Sequence, residues 1–412
     1  MIKTRTLSNG ISVALEQMNY LKSVSFGVWI KVGSVNENET NNGISHLIEH
    51  MLFKGTKHRT AKMLADDMAT IGGTMNAYTS KDCTTFYVTT LDYHLPFAIE
   101  MIADMLCNSL LTPADIEKEK EVILEEIDMY NDSPEDLVHE MLQNNVWKDH
   151  PLGYIISGSR EIVNGITREQ IVSYMEQFYV SENIVISIAG NFEEEQVINY
   201  LETHFSSIHQ GGKQPEITNP IYYKSLYQKP KDMEQVHMNI AFDCIDYSSD
   251  EKYVLSVVNA ILGGSENSRL FQVIREELGL VYSICSYGSS FQTAGLFHID
   301  VVLNPSKQKV VYDTIFHVIN SLQENGISEE ELFRTKEQIK TELIIGNEST
   351  RNRMSSNGKA LLSIGKIIPL DETIQSLQAV TLEDVNAFMK HYLQQENSSL
   401  SLVGNLPKDI KL

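Results

Sequence analysis

Residues 43–56 read GISHLIEHMLFKGT and set His46 and His50 four apart, with Glu49 directly before the second. On a helix advancing about 100° per residue, Ile44, Leu47, Ile48, Met51 and Leu52 gather within one arc, and His46, Glu49 and His50 cluster on the opposite side. Two imidazoles at i and i+4 are spaced to grip one metal ion. The carboxylate at i+3 sits beside them, placed to take a proton from a water that the ion activates. The solvated face of an ordinary amphipathic helix would show the same pattern. This pair is set apart because no other two of the twelve histidines are separated by four, and because a Gly-rich approach, NNGIS, leads into it.

The order H-x-x-E-H is the reverse of the HExxH of zinc peptidases and matches the inverse-zincin arrangement. A catalytic zinc site usually takes three protein ligands and a water, so a third ligand is required. The stretch DIEKEKEVILEEIDMY, residues 115–130, offers seven acidic side chains. With Glu119 as reference on a helix, Ile116, Ile123, Ile127 and Tyr130 fall within about 80° of it and Glu126 about 20° to the other side, whereas Glu117, Glu121, Glu125 and Asp128 take the far face. Glu119 and Glu126 therefore point toward the apolar side, where a carboxylate is costly without a cation or a hydrogen-bonding partner. Both are ligand candidates, and a position at the margin of the stripe, reaching solvent, is the alternative.

The elements that must position these residues repeat along the chain. TREQIVSYMEQFYVSENIVISIAGN at 167–191 and TLEDVNAFMKHYLQQENSSLSLVGN at 381–405 share Thr, Glu, Met, Asn and a final Gly-Asn at a constant offset of 214. Each reads as an amphipathic helix followed by an alternating apolar strand. LLTPADIEKEKEVILEEI (110–127) and GISEEELFRTKEQIKTEL (326–343) echo each other in cap, charge and length. Residues 206–220, SSIHQGGKQPEITNP, have the composition of a linker. The expected organisation is an N-terminal metal-binding domain over 1–208, a linker over 209–221 and a C-terminal repeat domain over 222–412. Strands such as SVSFGVWIKVGS and TTFYVTTL alternate with long helices, so each half is expected to be α+β, a largely antiparallel sheet packed with helices.

A chain of 412 residues with net charge −22 can bury a sizeable core and is a poor partner for nucleic acid or anionic membrane surfaces. Cys83, Cys107, Cys244 and Cys285 lack CxxC spacing and read as buried reduced thiols. The N-terminus MIKTRTLSNGISVALEQ has no signal-peptide core and no segment reads as a membrane span, which points to the cytoplasm. GGSENS at 263–268 lacks the ending of a phosphate-binding loop, so no nucleotide is expected.

Over its whole length the chain resembles the pitrilysin/insulinase family of zinc peptidases, and more closely its short branch with mitochondrial processing peptidase and bacterial relatives. The resemblance implies one Zn2+ per chain held by His46, His50 and Glu126, the last standing 76 residues after His50 at the family's spacing. It implies Glu49 as general base and Glu119 as the carboxylate that orients a histidine. GGTMNAYTSKDCTTFYVTTL, residues 72–91, resembles the edge strand that pairs with an extended substrate, which makes Asn76, Ala77 and Tyr78 candidate substrate contacts. REELGLVYS, residues 275–283, resembles the family's arginine and tyrosine pair, which makes Arg275 and Tyr282 candidate donors to the tetrahedral oxyanion. The other histidines of the second half, His237, His298, His317 and His391, are isolated in sequence.

Larger family members close four such domains as a clamshell. Two domains amount to half of one, so the resemblance implies a homodimer forming a closed chamber, with the Arg275–Tyr282 pair of one subunit serving the zinc of its partner. The expected substrates are peptides, basic or extended. The alternatives are a non-catalytic structural or chaperone-like member and the catalytic half of a heterodimer.

Overall fold

The computed structural model describes residues 2–212 and 214–406. Residues 407–412, the end of the expected C-terminal domain, and Lys213 of the expected linker lie outside them.

The first compact unit comprises Met1–Ile127, Tyr154–Ile217 and Ile345–Pro369. Its sheet contains β1 (Ile2–Thr6), β2 (Ser12–Gln17), β3 (Ser23–Ile30), β4 (Thr74–Thr79), β5 (Thr84–Leu91) and β6 (Ile184–Gly190), in the spatial order β1-β2-β6-β3-β5-β4. Only the β2–β6 pair is parallel. One face carries the main core, where Phe26, Val28, Phe86, Val88, Ile186 and Ile188 meet the helices Ile44–Leu52, Leu95–Asn108 and Glu194–His204.

The second unit comprises Asp128–Gly153, Thr218–Ile344 and Leu370–Leu412. Its strands β7 (Leu226–Pro230), β8 (Val236–Cys244), β9 (Val281–Ser290), β10 (Gly295–Leu303) and β11 (Ser399–Gly404) lie in the order β7-β11-β8-β10-β9, with only β7–β11 parallel. Reading β7 as β2, β11 as β6, β8 as β3, β10 as β5 and β9 as β4 reproduces the first sheet without β1. The repeat is thus one of topology. Its two helices, Arg168–Phe178 and Leu382–Tyr392, both open on a reciprocal cap, Thr167 with Gln170 and Thr381 with Asp384.

The units are not the two contiguous halves expected, 1–208 and 222–412. Each includes a helix from the other half of the chain. β6 and β11 are buried along their whole length rather than on alternate residues, because their second face is covered as well. In the first unit the cover is the helix Thr350–Ile364, whose Met354 packs with Trp29, Tyr87, Val185 and Ala189. Arg353 pairs with Glu16, Asn357 Nδ2 donates to Glu16 Oε2 at 2.8 Å, and the Arg351 guanidinium stands 4.7 Å from the centre of the Tyr87 ring. In the second unit the cover is Pro134–Val146, whose Leu137 and Val138 pack on Val403. His139 on that helix places Nε2 3.2 Å from Asp300 Oδ2 and Nδ1 2.9 Å from the Tyr287 hydroxyl. His298 is therefore not isolated in space: its ring stacks on Tyr287 with centroids 4.8 Å apart. The four cysteines are free; Cys83 and Cys244 are buried as expected, whereas Cys107 is half-buried and Cys285 is exposed.

Gly358 lies where Thr350–Ile364 meets the sheet, and a Cβ there would stand 2.5 Å from ring carbons of Trp29. Gly358→Ala is expected to lower the stability of the chain by about 1–3 kcal/mol through overpacking, read as a lower urea midpoint at unchanged slope. A wild-type midpoint would mean that the helix has room to shift.

Candidate metal centre

The motif helix Ile44–Leu52 begins at Gly43, whose φ of 98° is left-handed and whose Cβ, were there one, would stand 2.8 Å from the Ser157 carbonyl oxygen. The helix start has no side-chain cap of the usual kind. Its exposed N–H groups are met instead by Glu37, a buried carboxylate that accepts from the Gly43 N–H at 2.8 Å, the Ser45 N–H at 2.9 Å and the Asn42 side-chain amide at 2.8 Å. Burial pushes the Glu37 carboxyl above its ordinary pKa, and those donors pull it back. Ser45 also bonds the Tyr174 hydroxyl at 3.0 Å. Ile44, Leu47, Ile48, Met51 and Leu52 are all buried, as their arc requires, which turns His46, Glu49 and His50 to the other side.

The acidic helix runs Pro113–Asp132 and buries Ile116, Ile123, Leu124 and Ile127. Glu119 is buried with them at 1% exposure, whereas the Glu126 side chain, two turns on, keeps 31%. The two carboxylates that the helical spacing leaves equivalent are therefore separated by depth. Glu119 Oε2 lies 3.3 Å from Nδ1 of His50 and its Oε1 lies 2.7 Å from Nζ of Lys54. With Nδ1 engaged, Nε2 of His50 faces Glu126 Oε2 at 3.7 Å, and Nε2 of His46 faces the same oxygen at 3.8 Å. One ligand atom from each of His46, His50 and Glu126 lies within 4.8 Å of the others, the one such group of three found among the described residues.

The donor set fits zinc. Two imidazoles and a carboxylate leave a fourth position open, and separations of 3.7 and 3.8 Å approach the roughly 3.3 Å edge that ~2 Å bonds at tetrahedral angles would set. Burial, reinforced by the neighbouring His50, pushes His46 down to a pKa of about 4, so its ring is neutral at pH 7, the form that binds a metal. Glu126 thus faces two imidazoles and also lies close enough to the Glu49 carboxylate to help raise its pKa, a gathering of donors that suits a cation between them.

Glu49 Oε2 accepts from the Thr79 hydroxyl at 2.7 Å. Burial raises its pKa, opposed first by that hydrogen bond. Thr79 ends β4, the edge strand of the first sheet, whose residues alternate so that Met75, Ala77 and Thr79 turn toward the core and Asn76 and Tyr78 are exposed. Asn76, Ala77 and Tyr78 pair with β5 alone, and the Asn76 side chain meets the Ala77 N–H at 2.9 Å. Arg275 and Tyr282 belong to the second unit. Arg275 lies on a π-helical turn, Phe271–Glu277, with its guanidinium 4.6 Å from the Phe271 ring centre. Tyr282 follows on β9, the edge strand of the second sheet, and its side chain is exposed.

Three residues of this centre escape sequence reasoning. Glu37 lies in the polar stretch VNENETNNG, which reads as a loop. Thr79 carries no signal beyond following Asn76-Ala77-Tyr78. Lys54, four residues after His50 and so at helical spacing from it, is the one that the motif itself could have flagged.

Residues 12–160 match the family described as Insulinase (Peptidase family M16), and residues 165–339 match Peptidase M16 inactive domain. The chain is 38% identical over 410 residues to a Bacillus subtilis protein named uncharacterized zinc protease YmxG, covering 99% of this chain and all of that one. It is 33% identical over 418 residues to an uncharacterized zinc protease of Mycobacterium leprae, covering 99% and 94%. A solved structure of a protease from Helicobacter pylori has the same fold, with a TM-score of 0.91 at 21% identity over 98% of this chain and 99% of that one. No helix among the described residues is long and apolar enough to cross a membrane. The chain thus belongs to the insulinase family of zinc metallopeptidases, peptidase family M16, as two tandem domains of that family.

Proposed function

We propose that this protein is a zinc-dependent endopeptidase that cleaves unfolded, extended peptides. The observation that carries the reading is the convergence of His46, His50 and Glu126 beside a half-buried Glu49 that is tied to the end of a free edge strand. One Zn2+ per chain is held by His46, His50 and Glu126, and when bound it supplies Lewis acidity to the scissile carbonyl and to the attacking water. Glu119 holds Nδ1 of His50, which leaves Nε2 for the ion.

The substrate adds to β4 as a further strand along Asn76, Ala77 and Tyr78, and the Ala77 N–H exchanges its Asn76 bond for the incoming backbone. Thr79, at the end of the same strand, aims Glu49. Glu49 takes a proton from water as the new C–O bond forms and delivers it to the amide nitrogen as the C–N bond breaks, giving a carboxylate and an amine. Arg275 and Tyr282 donate to the oxyanion, Arg275 from a π-helical turn of a kind often found at functional sites. The acidic chain, at net −22, favours basic peptides. The enzyme works in the cytoplasm as a homodimer in which each zinc site is completed by the partner's arginine and tyrosine.

Glu49→Gln is expected to lower peptide cleavage by ~10²- to 10⁴-fold while circular dichroism stays unchanged. Chelation of the wild-type protein should abolish cleavage, and added Zn2+ should restore it. Full activity of Glu49→Gln, or indifference to chelation, would end the reading. The dimer is tested by mixing Glu49→Gln with Arg275→Ala chains under conditions of subunit exchange. Completion by the partner predicts recovery of roughly a quarter of wild-type activity, since half the dimers are mixed and each has one intact site. No recovery would mean that each chain uses its own pair.

A further inference from the structure

Glu119 is 1% exposed, yet its two oxygens have different partners: His50 Nδ1 at 3.3 Å and Lys54 Nζ at 2.7 Å. These are the polar partners found for it among the described residues. Lys54 stands just past the motif helix, where the Phe53 N–H bonds the His50 carbonyl at 3.2 Å and the Lys54 N–H bonds the Met51 carbonyl at 3.0 Å. The backbone beyond it is fastened to the segment that leads into the acidic helix. The Leu110 N–H bonds the Gly55 carbonyl at 3.1 Å, the Lys57 N–H bonds the Asn108 carbonyl at 3.0 Å, and the Thr56 hydroxyl donates to Asp104 at 2.6 Å. Lys54 is thus carried by fixed chain, and its ammonium reaches inward to a carboxylate from a side chain that keeps 34% of its surface.

We propose that Lys54 is a positioning residue for the metal: by holding Oε1 of Glu119 it fixes Oε2 on Nδ1 of His50 and so presents Nε2 of His50 to the ion. The inference rests on the zinc-peptidase reading above. A carboxylate that accepts from the second nitrogen of a ligating histidine sets its tautomer and ring orientation, and a charge-assisted bond on the other oxygen holds that carboxylate in one rotation. The sign of the effect separates positioning from simple charge. An ammonium near a dication repels it, so a Lys54 that acted only through its charge would weaken metal binding, and its removal would tighten it. A positioning role requires the opposite.

The experiment measures the Zn2+ dissociation constant of the full chain by competition with a chromophoric chelator. Lys54→Met is expected to bind Zn2+ ~10- to 100-fold more weakly, the usual size of an outer-partner effect. Lys54→Arg, which can still bond the carboxylate, should return to within ~3-fold of wild type, and Lys54→Met added to Glu119→Gln should weaken binding no more than ~3-fold further, because the two act in one chain of contacts. Thermal unfolding of the metal-free variants reports their fold, and Lys54→Gln replaces Lys54→Met if the latter does not fold. Binding by Lys54→Met as tight as wild type or tighter overturns the inference. A wild-type chain that binds no Zn2+ overturns the functional reading as well, so the two failures are distinguishable.

Discussion

A carboxylate against which no cation is found among the described residues holds the start of the motif helix. Glu37 is buried and accepts two backbone N–H groups and an amide from the turn that opens the helix. The aligned peptide dipoles at a helix N-terminus stabilise such a charge, which burial alone would destabilise. The left-handed Gly43 makes the turn possible, and the bond to Ser45 fixes the rotation at which the helix leaves it. That rotation decides where His46, Glu49 and His50 face. Near the other end of the helix a second buried carboxylate, Glu119, is satisfied differently, by an imidazole and an ammonium. The candidate metal-binding face is therefore bounded by two buried carboxylates, neither of which is itself among His46, His50 and Glu126.

What was legible in the sequence follows from what a short window can report. The apolar arc of Ile44, Leu47, Ile48, Met51 and Leu52 determines burial directly, so the opposite face was readable to the residue. The acidic helix was readable to a pair, Glu119 and Glu126. Choosing between them needs depth, and depth depends on which neighbouring element each residue meets. The reach of Glu119 to His50 rather than to His46 spans 69 residues and leaves no trace in spacing. Glu37 was invisible for another reason: a polar run contains no pattern that marks one of its acids as buried.

The strands misled in an instructive way. SLSLVG alternates serine with apolar residues and IVISIAG sets Ser187 between apolar ones, which reads as one dry and one wetter face. In the structure Ser187, Ser399 and Ser401 are fully buried, because a helix from a distant part of the chain covers the second face of each sheet. Serine is small enough to be tolerated under such a cover, and the Ser399 hydroxyl is bonded to Tyr222 at 2.7 Å. The exchange of covering helices also explains why a boundary drawn from composition at 209–221 does not divide the compact units: linker composition reports where the chain lacks pattern, whereas unit membership is set by which face a later helix covers.

The second copy shows how little of the first copy's chemistry the frame requires. Its sheet has the same order, and the helix after β8, Lys252–Leu262, follows the strand equivalent to β3 as the motif helix follows β3 itself. That helix carries no histidine. Its Asn259 accepts from Ser286 at 2.7 Å, a neutral hydrogen bond between helix and sheet. In the echo of the acidic helix, Glu342 stands where Glu126 does and Thr335 where Glu119 does. Glu342 is exposed and takes a hydrogen bond from Gln338 one turn earlier, as a surface residue would. A glutamate at the position equivalent to Glu126 is thus not enough to gather a three-ligand cluster among the described residues. The first copy differs in its two histidines and in the buried Glu119, which is paired with His50 and Lys54.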